Sequence, residues 1–336
     1  MRTLVSILIP AFNAERYIGE TLASALNQTW EKKEIIVVDD GSSDETLRIA
    51  KTFERANLKV ISQENKGASA ARNVALSVAQ GDLIQWLDAD DLLAPDKLAH
   101  QVTLYRNCIG GRVLISGAFG TFHVNPQRAR FRPHSLWQDL APAEFLFRIC
   151  TENIWMNPAV WLVSRGIAEA AGPWDERLTL DDDGEYFSRV VASSEMIRFC
   201  PEAKAYYRQH HTGSLSRDVS QRGCESLLLS LQLRIRQLRK LEDSERTRRA
   251  CVHLLQTWLD YFYPEKKDLL RQVYGLAGEL GGTLTVPPLS WKYVPVRAMF
   301  GWPAAKKARR LVSNAKLSAR VRIDGWLRPS VRSWRW

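Results

Sequence analysis

The feature that most constrains the fold is a regular alternation of apolar runs and helical segments near the start of the 336-residue chain. The apolar runs lie at residues 4–9, 34–38, 58–61 and 82–87. Helical spacing or capping patterns lie between them, at residues 14–27, 42–55 and 68–79. This short spacing predicts an α/β fold, with a mostly parallel central sheet flanked by helices. The S-x-x-E pattern from Ser42 to Glu45 predicts a capping box at the start of the second helix.

Polar residues follow three of the predicted strands. The segments are PAFN at residues 10–13, DDGS at 39–42 and DADD at 88–91. Ligands of open α/β sheets bind at the carboxyl ends of the strands, so these segments are candidates for a site. The three carboxylates of DADD repel one another unless a cation or a proton neutralises them, and Mg²⁺ or Mn²⁺ prefers such oxygen ligands. The alternative is that Asp91 caps the helix that begins near Pro95, and that the other acids are solvated.

Several protein classes are disfavoured by what the sequence lacks. It contains no G-x-G-x-x-G and no G-x-x-x-x-G-K-[ST], which argues against a Rossmann dinucleotide site and against a P-loop. The five cysteines are scattered without a C-x-x-C, a pattern that predicts neither a zinc site nor a disulfide framework. The sequence contains no run of about 18 apolar residues and therefore predicts no membrane-spanning helix. Together these features predict a cytoplasmic protein.

Four motifs near the start of the chain resemble those of the family 2 glycosyltransferases of GT-A fold. They are VSILIPAFN at 5–13, IIVVDDGSSD at 35–44, NKGASAARN at 65–73 and WLDADD at 86–91. The resemblance resumes at WDERL (174–178), continues through Asp182-Asp183 to Arg189, and returns at YRQHH (207–211) and SLS (214–216). It implies a glycosyltransferase domain over residues 1–217, with a nucleotide-sugar half at 1–100 and an acceptor half at 101–217.

The resemblance implies that the first half binds a nucleotide-diphosphate sugar, with a UDP-sugar favoured. Pro10 and Phe12 lie where the family packs backbone and an aromatic ring around the donor base. Asp40, with Asp39 beside it, lies where a carboxylate accepts the N–H of uracil or guanine. Arg72 falls on a position that contacts the nucleotide. Without the resemblance, Asp39 would be interpreted as a turn or cap residue and Arg72 as a surface charge.

The resemblance also implies a metal-dependent reaction. Asp88-Ala89-Asp90 is the family's D-x-D, with Asp88 expected near the ribose and the metal, and Asp90 on the Mg²⁺ or Mn²⁺ that bridges the diphosphate. Family members often place a histidine near the metal in the stretch that here holds His210 and His211. We favour His210 as the further ligand, and a surface histidine is the alternative for either.

Inverting transfer needs a carboxylate that deprotonates the acceptor hydroxyl. The family places this base after another acid, commonly as Glu-Asp, some eight residues past an aromatic-Asp-Glu segment. Counting from Trp174 puts the base on Asp183 and the preceding acid on Asp182. Because Asp181 makes this stretch a triple Asp, the register is open by one residue, and an exposed acidic turn is the alternative.

The positive charge of the chain belongs to its C-terminal part. Residues 291–336 hold twelve Lys and Arg against one acid, whereas residues 1–290 hold 35 bases and 36 acids. A helical extension is predicted at 218–280, with an apolar seam of Leu227, Leu228, Leu231 and Ile235, followed by a basic, Trp-rich tail at 281–336. Tryptophan with Lys and Arg favours an anionic membrane surface, so we expect peripheral attachment through 291–336 on the inner face of the cell membrane. The alternative is a solvated tail packed on the domain.

Taken together, the sequence predicts an inverting glycosyltransferase that acts on a saccharide or lipid-linked acceptor, in surface polysaccharide or glycan synthesis. A non-catalytic protein that binds membrane or nucleic acid through the basic tail is a rival interpretation. The retained D-x-D and the acids at 181–183 argue against it and make nucleic acid an unfavoured partner. A nucleotidyltransferase on a similar scaffold would need a Gly-rich basic loop after the first strand, where PAFN stands.

Overall fold

The computed structural model describes residues 3–108, 111–209 and 219–326 of the chain. Its strands are β1 (Val5–Ala11), β2 (Lys33–Asp39), β3 (Leu58–Ser62), β4 (Leu83–Trp86), β5 (Leu92–Leu93), β6 (Val113–Phe122), β7 (Arg130–Phe131), β8 (Val163–Ser164) and β9 (Met196–Arg208). Its helices are α1 (Ile18–Leu26), α2 (Thr46–Lys51), α3 (Ala68–Val78), α4 (Lys97–Asn107), α5 (Pro142–Glu152), α6 (Arg165–Ala171), α7 (Asp182–Ala192), α8 (Gln221–Leu241), α9 (Glu245–Phe262), α10 (Lys267–Glu279) and α11 (Val294–Trp326).

The four predicted strands form the core of one sheet, in the order β3-β2-β1-β4-β8. β1 lies in the middle and pairs in parallel with β2 and β4, while β8 joins the edge in the antiparallel sense. The apolar side chains of β1 and β2 are almost fully buried. Strands covered by helices on both faces read as continuous apolar runs, and the sequence shows this. The prediction of a mostly parallel sheet flanked by helices is confirmed.

The start of each of the first two helices differs from the prediction. α1 begins at Ile18, because residues 14–17 form a turn in which the Ala14 carbonyl accepts the N–H groups of Tyr17 and Ile18, each at 2.9 Å. The capping box predicted from Ser42 to Glu45 is wrong. The Ser42 hydroxyl instead accepts the backbone N–H of Asn13 at 3.0 Å, and α2 is a short helix that ends at Lys51. These side chains therefore tie the first loop to the second.

A second sheet, β5-β9-β6-β7, supports the loop that follows β4. β9 pairs in parallel with β6 along its length. It also pairs in the antiparallel sense with β5, the short strand that follows the D-x-D segment in the chain. As a result, the end of β9 lies beside that segment, and the backbone N–H of Arg208 donates to the Asp91 carboxylate at 2.8 Å. The second sheet therefore holds the acidic loop at residues 88–91 in place.

The helical extension packs into the same hydrophobic core as the sheet domain. The predicted seam is buried, and its residues are Leu227, Leu228, Leu231 and Ile235. The Ser226 hydroxyl on α8 accepts the N–H groups of Thr179 and Leu180 at 2.8 and 2.9 Å, which joins the extension to the loop before α7. α8 and α9 are therefore placed to form walls of a site at the start of α7.

The last described helix, α11, is attached to α9 and kinked near its start. Gly301 breaks the helical geometry at a φ of 80°, and Pro303 follows it. The buried Lys306 ammonium donates to the carbonyls of Asp260 and Tyr263, each at 2.7 Å, which anchors the helix. Across the described ranges, no helix combines the length and the apolar character needed to cross a bilayer.

Candidate active site

The carboxyl ends of β1, β2 and β4 lie side by side and carry the polar segments singled out in the sequence. Ala11 at the end of β1 pairs with Asp39 at the end of β2, and Leu8 pairs with Trp86 at the end of β4. Side chains from α3 and α7 complete this edge of the sheet. We call the charged residues gathered here the strand-end cluster: Asp39, Asp40, Arg72, Asp88, Asp90 and Asp182.

The adjacent buried acids Asp39 and Asp40 have different surroundings. The Asp40 carboxylate accepts three hydrogen bonds, from Gln63 Nε2 at 2.7 Å and from the backbone N–H groups of residues 66 and 67 at 2.9 and 2.8 Å. Asp39 Oδ2 accepts the N–H of Ser42 at 3.3 Å, but its buried Oδ1 has no hydrogen-bond partner among the described residues. A buried oxygen without a partner is costly, so Asp39 Oδ1 is the acceptor available to a ligand.

Phe12 is placed to contact a flat group near Asp39. It follows β1 directly, and its side chain is 52% exposed, which is unusual for so large an apolar residue. Pro10 lies two residues earlier on the strand and is partly buried. An exposed aromatic ring next to an unused buried acceptor provides stacking and a polar handle, the two elements by which a nucleobase is bound.

Arg72 links the sheet domain to α7. Its guanidinium donates to Asp182 Oδ2 at 2.7 Å and to Asp88 Oδ1 at 2.9 Å, and it lies 4.3 Å from the ring centre of Trp174. The arginine is buried, and the attraction of Asp182 and Asp88 raises its pKa against the opposing effect of burial. The surface position offered as the alternative for Arg72 is therefore wrong, because the side chain is buried and makes two ion pairs.

The acids of the D-x-D segment divide into two kinds. Asp88 and Asp90 are partly exposed at the strand-end cluster. Burial raises the pKa of Asp88, and the charge of Asp90 adds to the effect while Arg72 opposes it. Asp91 is fully buried and accepts from Asn157 Nδ2 and from the Arg208 N–H, each at 2.8 Å. Asp91 therefore holds the D-x-D loop to the protein interior through these two hydrogen bonds.

The predicted helix cap at Asp91 is wrong. Helix α4 begins at Lys97, and Asp96 precedes it without a side-chain cap. Asp91 lies too early in the chain to serve that helix and is occupied by its two buried partners. Burial raises the pKa of Asp91 well above its ordinary value, and the nearby charges of Asp90 and Asp88 raise it further.

The three consecutive acids before α7 have three different environments. Asp181 adopts a left-handed backbone with a φ of 61°, and its carboxylate accepts from Ser230 Oγ at 2.6 Å and Arg234 at 2.8 Å. Asp182 pairs with Arg72. The Asp183 carboxylate accepts the N–H of Gly184 at 2.8 Å and lines a cavity. The backbone turn needs glycine at 184, because a Cβ there would lie 2.2 Å from Asp181 Oδ1.

The cavity beside Asp183 has a volume of about 410 Å³ and is enclosed by α5, α7, α8 and α9. Burial raises the pKa of Asp183 to about 7, and repulsion from Asp182 and Asp181 contributes. A carboxylate with a pKa near neutrality can accept a proton and release it again at physiological pH. The cavity therefore brings a candidate general base next to the strand-end cluster, to which Asp182 connects it through Arg72.

Comparison with known proteins identifies the sheet domain. The family model for Glycosyl transferase family 2 matches residues 6–157, which include β1 to β7 and all of the strand-end cluster except Asp182. Residues 6–157 form a family 2 glycosyltransferase domain. The family resemblance inferred from the four motifs is confirmed.

Two relatives of known name each match less than a third of the chain. The chondroitin synthase of Escherichia coli is 46% identical over 95 residues, which are 28% of this chain and 14% of that protein. The UDP-Glc:alpha-D-GlcNAc-diphosphoundecaprenol beta-1,3-glucosyltransferase WfgD of Escherichia coli is 41% identical over 102 residues, which are 30% of this chain and 40% of that protein. The chain thus spans less than half the length of these relatives.

The fold extends beyond the family 2 domain. The structure of S. aureus TarS 1–349 in complex with UDP-GlcNAc superimposes with a TM-score of 0.63 and covers 82% of this chain and 80% of that one, at 18% identity. Identity this low shows the fold alone. The predicted GT-A architecture with a helical C-terminal extension is confirmed.

The family 2 domain offers donor atoms that fit Mg²⁺ or Mn²⁺ in part. Asp88 and Asp90 present hard carboxylate oxygens, and burial, with the charge of Asp90 adding to it, raises the pKa of Asp88. Within the described residues, no group of three or more His, Cys, Asp and Glu side chains forms a ready metal site. Mg²⁺ is commonly held by only one or two carboxylates together with substrate phosphates, so two acids are sufficient. His210, the predicted third ligand, and His211 lie outside the described residues.

Some residues that build the site were not predicted. Arg208 belongs to the YRQHH motif at 207–211. It is buried against the D-x-D loop and forms an ion pair with Glu20 at 2.7 Å. Apart from that motif, nothing in the sequence predicted this position. Asn157 and Arg234 hold Asp91 and Asp181 from positions far away in the chain. Nothing in the local sequence marks such partners, because their role depends on tertiary contacts.

Proposed function

We propose that the chain is an inverting, metal-dependent glycosyltransferase that moves a sugar from a nucleotide-diphosphate sugar to a saccharide or lipid-linked acceptor. The observation that carries the proposal is the separation of the three acids before α7. Asp181 and Asp182 are held by arginines, whereas Asp183 lines the cavity with a pKa near 7. This is the arrangement that a general base requires, and it supports the register that places the base on Asp183.

The donor nucleotide binds at the carboxyl ends of β1 and β2. Phe12 and Pro10 pack against the base, and Asp39 Oδ1 accepts its N–H, because that oxygen has no partner among the described residues. Asp40 does not contact the base. It stabilises the turn at residues 63–67 that leads into α3. A UDP-sugar is favoured, and TarS structures described as complexes with UDP-GlcNAc and with UDP lend support.

In the reaction, the acceptor hydroxyl attacks the anomeric carbon of the donor from the cavity side. Its proton passes to the Asp183 carboxylate, a bond forms between the acceptor oxygen and the anomeric carbon, and the bond from that carbon to the diphosphate oxygen breaks. The nucleoside diphosphate leaves with the bonding electrons. Attack opposite the leaving group inverts the configuration at the anomeric carbon.

Arg72 sets the relative positions of the two halves of this reaction. Its ion pairs to Asp88 and Asp182 fix the D-x-D loop relative to the start of α7, so the base and the donor site keep their separation. Mg²⁺ or Mn²⁺ bound by Asp90 and Asp88 would stabilise the negative charge of the departing diphosphate. Asp182 acts as a positioning residue, since its carboxylate is occupied by Arg72.

We further propose that the tail holds the enzyme at an anionic membrane surface, on the inner face of the cell membrane. Large apolar side chains are exposed along residues 291–312, at Trp291 (77%), Phe300 (70%), Met299 (69%) and Leu311 (61%). Exposed bases such as Lys292 and Arg297 lie among them. Trp302 does not contribute in the same way, because its ring packs 5.1 Å from Tyr263. The lipid-linked acceptor in the printed name of WfgD is consistent with this location.

The test is a screen of UDP- and GDP-sugars for release of the nucleotide, with Mg²⁺, with Mn²⁺ and with EDTA. We expect turnover with a UDP-sugar that depends on the metal and is lost in Asp90→Ala and in Asp183→Asn. Asp175→Asn is the matched control, since Asp175 pairs with Arg177 away from the cavity. Full activity of both site variants would refute the proposal, and pyrophosphate release from a nucleoside triphosphate would favour a nucleotidyltransferase.

A further inference from the structure

The cavity beside Asp183 is lined mainly by aromatic and aliphatic side chains. Trp155 and Tyr207 lie on one side, with ring centres 5.1 Å apart, and Trp258 of α9 lies on another. Trp155 is 46% exposed, whereas Trp86, Trp161 and Trp174 are almost fully buried. Exposed tryptophan faces in a concave site match the apolar C–H face of a sugar ring.

The polar groups of the cavity are mostly uncharged. Asn153, Ser188, Gln209 and Thr257 contribute amides and hydroxyls that can hydrogen-bond to sugar hydroxyls. A few such groups in an apolar pocket are the usual means of orienting a small ligand. This combination differs from the strand-end cluster, where charged groups predominate.

The charges of the cavity disfavour an anionic ligand. Among the described lining residues the cation is Arg234, whose guanidinium donates to Asp181 at 2.8 Å and is almost fully buried. Asp181 therefore already compensates this charge. Among the lining residues that the structure describes, Asp183 is the remaining aspartate, and it has to be a carboxylate to act as a base. A carboxylate or phosphate placed close to it would be repelled.

We propose that this cavity is the acceptor site and that it takes an uncharged pyranose, stacked on Trp155 and Trp258, with the reacting hydroxyl directed at Asp183. The inference rests on the proposed function and adds the chemical class of the acceptor. One wall, including Thr257 and Trp258, belongs to α9, which lies outside the segment matched by the family model. Acceptor choice is therefore determined in part by the helical extension.

The first experiment compares neutral and charged acceptors. The donor is the nucleotide sugar identified by the release screen, and the acceptors are p-nitrophenyl glycosides of glucose, galactose, mannose and N-acetylglucosamine, with p-nitrophenyl glucuronide as the charged probe. We expect at least one neutral glycoside to be used, with kcat/KM about 10-fold or more above that of the glucuronide. Equal or preferred use of the glucuronide would overturn the proposal.

The second experiment adds a charge to the α9 wall. Thr257→Lys places an ammonium in the cavity, and Thr257→Met is the matched uncharged control. The Lys variant should raise the ratio of glucuronide to neutral glycoside use by about 10-fold relative to the Met variant. An effect on folding alone would lower both rates and leave the ratio unchanged. Equal ratios in the two variants would contradict a ligand bound against α9.

The third experiment tests stacking. Trp258→Ala should raise KM for the neutral glycoside by about 10-fold, which is the scale of one aromatic contact. Tyr274→Ala, at an exposed position on α10 outside the cavity lining, is the control. Unchanged KM in Trp258→Ala would count against the acceptor site.

The failure of this inference can be told apart from failure of the proposed function. If no nucleotide sugar is hydrolysed, the proposed function fails. If a donor is hydrolysed but no neutral glycoside is glycosylated, and none shows saturation-transfer NMR signals that Trp258→Ala abolishes, the function stands and the acceptor assignment is overturned.

Discussion

The strand-end cluster and the cavity beside it are neighbouring parts of one site with opposite construction. The cluster consists of acids around a buried arginine at the ends of parallel strands, and nearly all of it lies in the family 2 domain. The cavity is apolar and aromatic, with walls from four helices, three of which follow the matched segment. If the proposed function holds, the donor site is encoded in short motifs and the acceptor site in the packing of helices.

Asp183 lies where the two regions meet, so its removal should give the largest effect. Asp183→Asn keeps the shape of the side chain and abolishes its basicity. Because a positioned base contributes about 10²–10⁴-fold, we expect kcat for transfer to fall by about 10³-fold while UDP binding is kept. Steady-state transfer assays and calorimetric titration with UDP measure the two quantities, and Asp175→Asn should match the unaltered protein in both. A loss of UDP binding equal to the loss of kcat would place Asp183 in the donor region instead.

Breaking the link between the regions should affect stability next. Arg72→Met leaves Asp88 and Asp182 without their shared cation, and removing one partner of a buried pair costs about 3 kcal/mol. Urea denaturation should show this loss. The double variant Arg72→Met with Asp182→Asn should recover part of it, because one of the unpaired charges is then absent. Arg177→Met, which breaks an exposed pair with Asp175, should cost less than about 1 kcal/mol.

Much of the donor region could be predicted from the sequence, and little of the cavity could. Apolar runs followed by polar segments identified β1, β2 and β4 and placed Asp39, Asp88 and Asp90 at one sheet edge, because parallel strands end on the same side. The lining of the cavity by Trp155 and Trp258 depends on how α5 and α9 pack, and no local pattern encodes that. The capping box failed for the same reason, since Ser42 bonds to a loop distant in sequence.

Asp39 and Asp40 of the strand-end cluster test whether a sequence motif alone can assign the roles of two adjacent acids. Asp39→Asn removes the available acceptor and should weaken UDP binding by about 10-fold with little change in stability. Asp40→Asn turns an amide group toward N–H donors at residues 63–67, and should cost about 2 kcal/mol of stability. Calorimetric titration and urea denaturation measure the two effects. The reverse assignment, with Asp40→Asn affecting binding alone, would show that the turn rearranges around the nucleotide.

The pH dependence of transfer tests the electrostatic side of the comparison. Burial and the neighbouring acids raise the pKa of Asp183 to about 7, and a base acts in its deprotonated form. The acid limb therefore lies below pH 7, where log kcat/KM should fall by about one per pH unit, and the rate should level off above it. Asp183→Asn should lose this limb. A rate that stays constant down to pH 5 would show that the group is not the base.

The tail should have the smallest effect, because its interactions are at an exposed surface. Lys292→Gln removes one base beside the exposed Trp291 and, at about 1 kcal/mol per charge near an anionic surface, should weaken binding to phosphatidylglycerol-containing vesicles by about 5-fold. Co-sedimentation with phosphatidylcholine vesicles alone should not distinguish the variant. Arg249→Gln, an exposed charge on α9 paired with Glu245, is the control. Hydrolysis of the donor should be unaffected in all cases, since we propose that the tail sets the location and the strand-end cluster the chemistry. Equal binding of Lys292→Gln and the unaltered chain would assign the tail to packing on α9, where Lys306 already anchors it.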